Sequence, residues 1–324
     1  MIISKTPFRI SFFGGGTDFE EYFKENGGSV ISTTIDKYCY VTARYLPPFF
    51  DYTTEVSYSK IERVSNINNI EHPLIKAALK YTDIKDVRLT YEADLPARSG
   101  LGSSSSFAVG MLNALYKLKG MQTDKRKLAN DAIFIERNIC NETGGWQDQI
   151  AASFGGFNKI VFTDKGYTVY PLLNESQRLY LNQNIMMFFT GFTRLSSIVL
   201  KENNITNKNK HGQIKEIQML TEEAQKILEG NVSGYNEIGK LLDYTWQIKK
   251  SLGETITNNE TEEIYKRAIK AGAIGGKIIG AGGGGFIIFY VPLDAQENVK
   301  RTLKDLLYVP IKFENKGTQI ISNL

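Results

Sequence analysis

Along the first part of the chain, apolar and β-branched residues come in short runs set off by glycine or proline, which is the pattern of strands. Val30 to Ile35 and Tyr38 to Tyr45 read as two strands, the second stopped by Pro47 and Pro48. Val87, Leu89 and Tyr91 alternate with polar neighbours, so Val87 to Ala93 reads as a half-buried strand. Pro73 to Tyr81 has the spacing of a short amphipathic helix. The period then settles at three and four residues. Phe107, Met111, Leu112, Leu115 and Leu118 predict a helix from Ser103 to Lys119, closed by Gly120. A second helix is predicted from Asp124 to Cys140.

The later half opens on a strand-like run, Asn184 to Thr190, followed by a polar loop, Lys201 to Gly212. Helical spacing returns in Gln213 to Leu228, Tyr235 to Ser251 and Thr261 to Ala271. A glycine-rich turn at Lys277 to Gly285 precedes a strand, Phe286 to Val291, then a helix, Asp294 to Leu307, and a last strand, Tyr308 to Phe313. No repeat of fixed period runs through the chain. The mixture predicts an α+β protein of two domains, residues 1–180 and 181–324, with the boundary close to residues 175–183.

Composition narrows the classes. In 324 residues, 42% hydrophobic and 23% charged residues are enough to build a core, which excludes a disordered chain. The net charge of +4 is mild and its basic residues are scattered, so no nucleic-acid partner is expected. Two cysteines, Cys39 and Cys140, and two histidines, His72 and His211, lie far apart, which excludes a disulfide framework and a His/Cys metal cluster. The N-terminus lacks a secretory apolar region. The longest apolar stretch, Ile278 to Val291, is split by five glycines. It falls short of the roughly 20 residues of a membrane helix. The expectation is a cytoplasmic protein with no membrane partner.

Three glycine-bearing motifs carry candidate chemistry. The first is Pro96-Ala97-Arg98-Ser99-Gly100-Leu101-Gly102-Ser103-Ser104-Ser105-Ser106, running into the helix from Ser103. Glycines fold tightly and present several N–H groups in one direction, and the helix adds the positive end of its dipole. That combination suits phosphate, while a Gly/Ser loop that only caps the helix accounts for it equally well. GxxxxGK[ST] is absent, so this is not a P-loop. The second is Ile278-Ile279-Gly280-Ala281-Gly282-Gly283-Gly284-Gly285. It fits GxGxxG, but a strand follows where a dinucleotide fingerprint must open a helix, so NAD binding is excluded on context. Its glycine density points to backbone passing close to a ligand or another loop. The third is Pro7-Phe8-Arg9-Ile10-Ser11-Phe12-Phe13-Gly14-Gly15-Gly16-Thr17-Asp18. Here Arg9 can hold an anion and Asp18 can hold hydroxyls, although a turn with Asp18 capping a helix from Phe19 to Lys24 is the simpler account. Between them lie Glu136 and Gly144-Gly145-Trp146-Gln147-Asp148-Gln149. With no His, Cys or Lys there, an acid or base in this region must be a carboxylate.

Taken in order, Pro7-Phe8-Arg9, Pro96 to Ser104 and Gly280 to Gly284 resemble the three motifs of the GHMP small-molecule kinases, and the resemblance spans nearly the whole chain. It implies a GHMP kinase fold with a central ATP/substrate cleft. The N-terminal domain would contain a left-handed βαβ unit and the C-terminal domain would be ferredoxin-like. It implies ATP and Mg²⁺ as cofactors and a small sugar phosphate as substrate. By the same resemblance Asp148 and Arg9 are catalytic. Pro96, Gly100, Leu101, Gly102, Ser103, Ser104, Ser105 and Ser106 bind the nucleotide. Ser104 and Glu136 hold the metal, with Ser103 and Ser105 as alternatives to Ser104. Gly15, Gly16, Thr17, Asp18, Arg194, Gly282 and Gly283 bind the acceptor. Galactokinases carry Gly-Glu-His-Thr-Asp where this chain has Gly14-Gly15-Gly16-Thr17-Asp18. That departure, with Gly191-Phe192-Thr193-Arg194, resembles the D-glycero-D-manno-heptose 7-phosphate kinases of the family. The alternatives are a fucokinase-like or other hexose 1-kinase, and a sensor of the same fold that has no activity.

Overall fold

The computed structural model describes residues 1–191, 199 and 207–323. Its first sheet is built on two long strands, β1 (Ile2–Phe13) and β2 (Gly28–Tyr45), joined through α1 (Glu20–Asn26). β2 is one strand of 18 residues where the sequence pattern suggested two, because the chain passes through Asp36 and Lys37 as an irregularity, with the register against β1 shifting between Pro7 and Arg9, and does not end there. The edge then adds β3 (Thr54–Ser57) and β4 (Ile61–Val64), followed by α2 (Pro73–Thr82) and β5 (Val87–Ala93). β3 runs parallel to β5, whereas the neighbouring pairs are antiparallel. Three helices come next: α3 (Ser103–Leu118), α4 (Lys125–Phe134) and α5 (Gln147–Phe154). β6 (Phe157–Thr163) returns to β2 and pairs with β7 (Gly166–Pro171).

The predicted helix from Asp124 to Cys140 is α4 extended by a π-helical turn, Ile135–Ile139. The Cys140 N–H bonds the Ile135 carbonyl at 2.8 Å, five residues back. Such turns re-aim side chains and often occur at functional sites. Here Glu136 lies inside it.

The second sheet follows α6 (Glu175–Gln183) with β8 (Ile185–Phe189), then three helices, α7 (His211–Glu229), α8 (Asn236–Ser251) and α9 (Asn259–Lys270). β9 (Gly275–Ile278), β10 (Phe286–Tyr290), α10 (Gln296–Thr302) and β11 (Leu307–Tyr308) complete it. The spatial order β11–β8–β10–β9, all antiparallel, is the βαββαβ ferredoxin-like arrangement with extra helices after the first strand.

The last segment departs from expectation. Tyr308 to Phe313 is not one strand, because Pro310 lacks the N–H that a continued ladder needs. The chain instead crosses back, and β12 (Phe313–Glu314) pairs with β2 while β13 (Gln319–Asn323) pairs with β1. Within the expected second domain, residues 181–324, the segment from Phe313 onward thus pairs with the first sheet. One apolar cluster joins the two sheets, running from Phe8, Ile10 and Phe12 of β1 through Leu101 to Phe188, Trp246, Ile279 and Ile287. β1 thus packs against residues of both lobes.

Deleting residues 319–324 should test the closing strand. Four register pairs with β1 are lost, Ile2↔Asn323 to Lys5↔Gln319. At about 1 kcal/mol net per hydrogen bond, the loss should be on the order of 2–4 kcal/mol. Urea unfolding should show a lower midpoint at an unchanged slope, and an unchanged midpoint would mean the strand adds no stability.

Candidate active site

Arg9 sits on β1 with only 4% of its surface exposed. Its Nε and Nη2 donate to Oδ1 and Oδ2 of Asp148, both at 2.7 Å, and its Nη1 donates to the Gly100 carbonyl. The guanidinium fork matches the carboxylate edge-on, which fixes direction as well as distance. Asp148 lies in the first turn of α5, and its side chain is 22% exposed against 5% for Arg9. The cation is sealed in while one face of the carboxylate stays open to the cleft.

Gly102 precedes α3 in the left-handed region, at φ 74°, with no side chain capping the helix. A Cβ there would lie 3.2 Å from Asp148 Oδ2, so glycine keeps the carboxylate clear. The first N–H groups of this 16-residue helix are left to face an anion. Among the four serines the structure separates roles. Ser103 is half-buried and Ser104 exposed. Ser105 Oγ donates to Glu136 Oε2 at 2.9 Å. Ser106 Oγ donates to the Pro7 carbonyl at 2.9 Å and is 1% exposed, so it ties α3 to β1 and does not face the nucleotide as expected. Leu101 is fully buried, its carbonyl accepting the Arg9 N–H at 3.1 Å, so its side chain serves the core. Pro96 is exposed at the outer end of the loop.

Of the serines expected beside Glu136, it is Ser105, the alternative to Ser104, that touches it, because successive helical positions point about 100° apart. Glu136 is 1% exposed and accepts at Oε2 from Ser105 and from Gln149 Nε2, both neutral. A buried carboxylate bonded by neutral donors, beside a hydroxyl, is a hard-oxygen set that fits Mg²⁺. No group of three or more His, Cys, Asp or Glu able to hold a metal occurs among the described residues.

On the other side of Arg9 the turn after β1 carries Asp18, 2% exposed. Its carboxylate accepts the N–H of Gly16 at 3.0 Å and of Gln147 at 3.3 Å. Burial, and then the charge of Asp148, push its pKa above the ordinary value, with the backbone donors pulling the other way. It does not cap α1, whose N-cap is Phe19 without a side-chain bond. Gly145 packs on it so closely that a Cβ would fall 1.9 Å from Oδ2. Thr17, expected to touch the acceptor, is fully buried and donates to the carbonyls of Gly14 and Ser29 at 2.8 and 2.9 Å. It locks the turn to β2. A Cβ on Gly15 would lie 3.9 Å from both Ser11 Oγ and Gln147 Nε2. Ser11 Oγ and Gln147 Oε1 are buried polar atoms with no partner in the protein. Missing partners at a site without a Cβ mark a place where polar ligand atoms fit.

The glycine run after β9 meets the phosphate loop backbone to backbone. A Cβ on Gly280 would lie 2.5 Å from Gly100 Cα, and one on Gly285 2.4 Å from the Ser99 carbonyl. Gly282 and Gly283, expected at the acceptor, are buried against Ile256, whose carbonyl accepts the Gly283 N–H at 2.8 Å, so they brace the loop. Arg194 lies outside the described residues. Two lysines were not anticipated. Lys249 Nζ bonds the Gly280 carbonyl, and Lys277, 4% exposed, bonds the Phe12 carbonyl at 2.9 Å. A lysine inside the apolar run Gly276 to Ile279 was a readable signal for the second, but Lys249 on an amphipathic helix had none.

Residues 69–156 match the GHMP kinases N terminal domain and residues 224–309 the GHMP kinases C terminal domain. A D-glycero-alpha-D-manno-heptose 7-phosphate kinase of Campylobacter jejuni is 31% identical over 319 residues, covering 94% of this chain and 93% of that protein. The chain belongs to the GHMP kinase family. An L-fucokinase/L-fucose-1-P guanylyltransferase of Bacteroides fragilis is 26% identical over 93% of this chain, which spans 35% of that longer protein. Among solved structures, a D-glycero-D-manno-heptose 1-phosphate kinase from Bacteroides thetaiotaomicron matches over 100% of both chains, at TM-score 0.81 and 25% identity. This GHMP kinase has the family fold and is a sugar kinase, a phosphotransferase with an alcohol group as acceptor and ATP as donor. No helix among the described residues is long and apolar enough to cross a membrane.

Two outcomes are expected from the kinase's geometry. Asp148→Asn should lower kcat by about 10² or more with ATP affinity little changed, because the acceptor side loses its anion. Near-normal turnover would remove Asp148 from the reaction. Ser105→Ala should weaken the Mg²⁺ dependence of activity by roughly tenfold, more than Ser104→Ala does. The reverse order in a Mg²⁺ titration would return the metal to Ser104.

Proposed function

We propose that the enzyme transfers the γ-phosphoryl group of ATP to the anomeric hydroxyl of D-glycero-D-manno-heptose 7-phosphate, giving the 1,7-bisphosphate and ADP. The observation that carries the reading is the glycine turn at Gly15. Small residues stand there in place of Glu and His, the unpartnered Ser11 Oγ lies 3.9 Å from where a Gly15 Cβ would be, and Gln147, whose Oε1 is also unpartnered, brings its Nε2 to the same distance. An acceptor rich in hydroxyls and longer than a hexose fits that opening. The likeness to the Campylobacter jejuni heptose kinase along nearly the full length of both chains supports the same choice. The fucokinase likeness, at lower identity, supports a hexose 1-kinase as second reading.

In this mechanism Asp148 accepts the hydrogen of the acceptor hydroxyl on its open face while Arg9 holds both its oxygens in place. The hydroxyl oxygen attacks phosphorus as the bond to the β–γ bridging oxygen breaks, and the proton passes to Asp148 Oδ. Gly100, Gly102 and Ser103, with the N-terminus of α3, hold the donor phosphates. Glu136 and Ser105 would hold Mg²⁺, which neutralises charge on those phosphates when bound. Asp18, braced by Gly16, Gln147 and Gly145, accepts hydrogen bonds from ring hydroxyls. Arg194 is assigned to the 7-phosphate.

ADP release against a panel of heptose 7-phosphate, free heptose, fucose and galactose tests the assignment. The 7-phosphate should be used best. Arg194→Ala should cut kcat/KM on it by roughly tenfold to a hundredfold, the scale of one charge-assisted contact, and spare activity on free sugars. Preference for an unphosphorylated hexose would overturn the heptose reading and leave the sugar kinase.

A further inference from the structure

Two positive charges at the junction of the two lobes have no matching anion among the described residues. Arg9 is neutralised by Asp148. Lys249 of α8 and Lys277 of β9 have only backbone carbonyls as hydrogen-bond partners, those of Gly280 and Phe12. No carboxylate pairs with either among the described residues. Ammonium groups withdrawn from water without a counter-ion are costly, and a site that keeps them is suited to an anion supplied from outside.

Lys277 is sealed and serves as a clamp, carrying its bond across the lobes to β1. Lys249 is different, being only half-buried. It is fixed to the carbonyl of Gly280, and the Gly280 backbone touches Gly100. The Gly100 carbonyl in turn accepts from Arg9 Nη1, whose guanidinium holds Asp148. Lys249 therefore stands over the phosphate loop from the second lobe, next to the guanidinium on the acceptor side. Burial, and then the charge of Arg9, push its ammonium down to about 8. The same causes, with Lys249 itself, hold Lys277 well below the ordinary lysine value. Both shifts follow from burial and from the crowding of like charges.

We infer that Lys249 binds the γ-phosphoryl group of ATP, closing over it from the C-terminal lobe while the glycine loop holds the rest of the triphosphate from the other. The inference rests on the ATP-dependent phosphoryl transfer above but not on which sugar accepts it. In-line transfer requires the moving group to lie between the loop at Gly100 and the hydroxyl at Asp148. Lys249 stands beside that gap, through the Gly280 carbonyl that abuts Gly100 and next to the Arg9 charge, and no anion among the described residues pairs with it. During transfer it would neutralise the equatorial oxygens without itself changing covalently.

Calorimetric titration of the whole enzyme with ATP and with ADP, without sugar, tests this directly. Lys249→Met keeps the aliphatic stem and should weaken ATP by roughly tenfold or more, the scale of a charge-assisted bond, while ADP affinity stays the same. Lys249→Arg should keep most of the preference for ATP. Equal loss on both nucleotides, or no loss on either, overturns the inference. So does an unchanged ATP titration with weaker binding of the sugar phosphate, which would place Lys249 on the acceptor's own phosphate. A misfolded Met variant, seen in its melting curve, leaves the wild-type pH dependence as the deciding measurement. The groups facing Lys249 are Arg9 from β1 and Lys277 from β9, with Asp148 of α5 beyond Arg9. Lys249 loses its charge as pH rises through about 8, so ATP binding should weaken there and ADP binding should not. This pH-dependent loss should be absent in Lys249→Arg, whose guanidinium stays charged, and its persistence there overturns the inference. Sugar preference is measured separately, so a failed heptose assignment cannot be confused with a failed role for Lys249.

Discussion

The two-pronged bond from Arg9 to Asp148 organises the cleft. Arg9 belongs to β1, the strand that packs against both lobes, and its third contact holds the carbonyl of Gly100 in the phosphate loop. One buried guanidinium thus fixes the loop at Gly100 and the first turn of α5 relative to β1. Removing one partner of such a buried pair leaves the other uncompensated, at about 3–5 kcal/mol. Packing around it keeps space clear. Gly102 spares room beside Asp148, and Gly100 and Gly280 let the two loops touch where any side chain would force them apart.

Charge is distributed unevenly across this frame. Carboxylates come from the first lobe: Asp148 toward the acceptor, Asp18 deeper in the turn after β1, Glu136 under the serines. Uncompensated ammonium groups come from the second lobe. An anionic donor between the lobes would be gripped by hydroxyls and N–H groups from one side and by cations from the other. The raised pKa of Asp18 follows from the same crowding, since burial and the Asp148 charge both disfavour its ionised form. The backbone N–H groups of Gly16 and Gln147 pull the other way by bonding the carboxylate.

Much of this was legible in the sequence because it is local. The helix from Ser103 and the strand from Val87 follow from spacing alone, and the glycines around them from the conformations only glycine adopts without strain. What escaped was set by register and by distance along the chain. Spacing could not decide whether Ser104 or Ser105 turns toward Glu136, because a helix side chain's direction depends on which face packs on β1. Thr17, Gly282 and Gly283 sit within motifs that point to ligands, yet tertiary contacts with Ser29 and Ile256 claim them. The closing strands are short, half-exposed and polar, and they become strands only because β1 and β2 offer edges. Lys249 carried no mark in the sequence, since its importance comes from a glycine 31 residues away.

The most direct measurement is a double-mutant cycle on turnover with Arg9→Met, Asp148→Asn and the two combined. If guanidinium and carboxylate act as one device, the double variant should fall in kcat to within about threefold of the worse single variant, since the second loss removes nothing further. Losses that multiply would show two independent contributions, and would contradict the dependence of Asp148 on Arg9 from which the site is built.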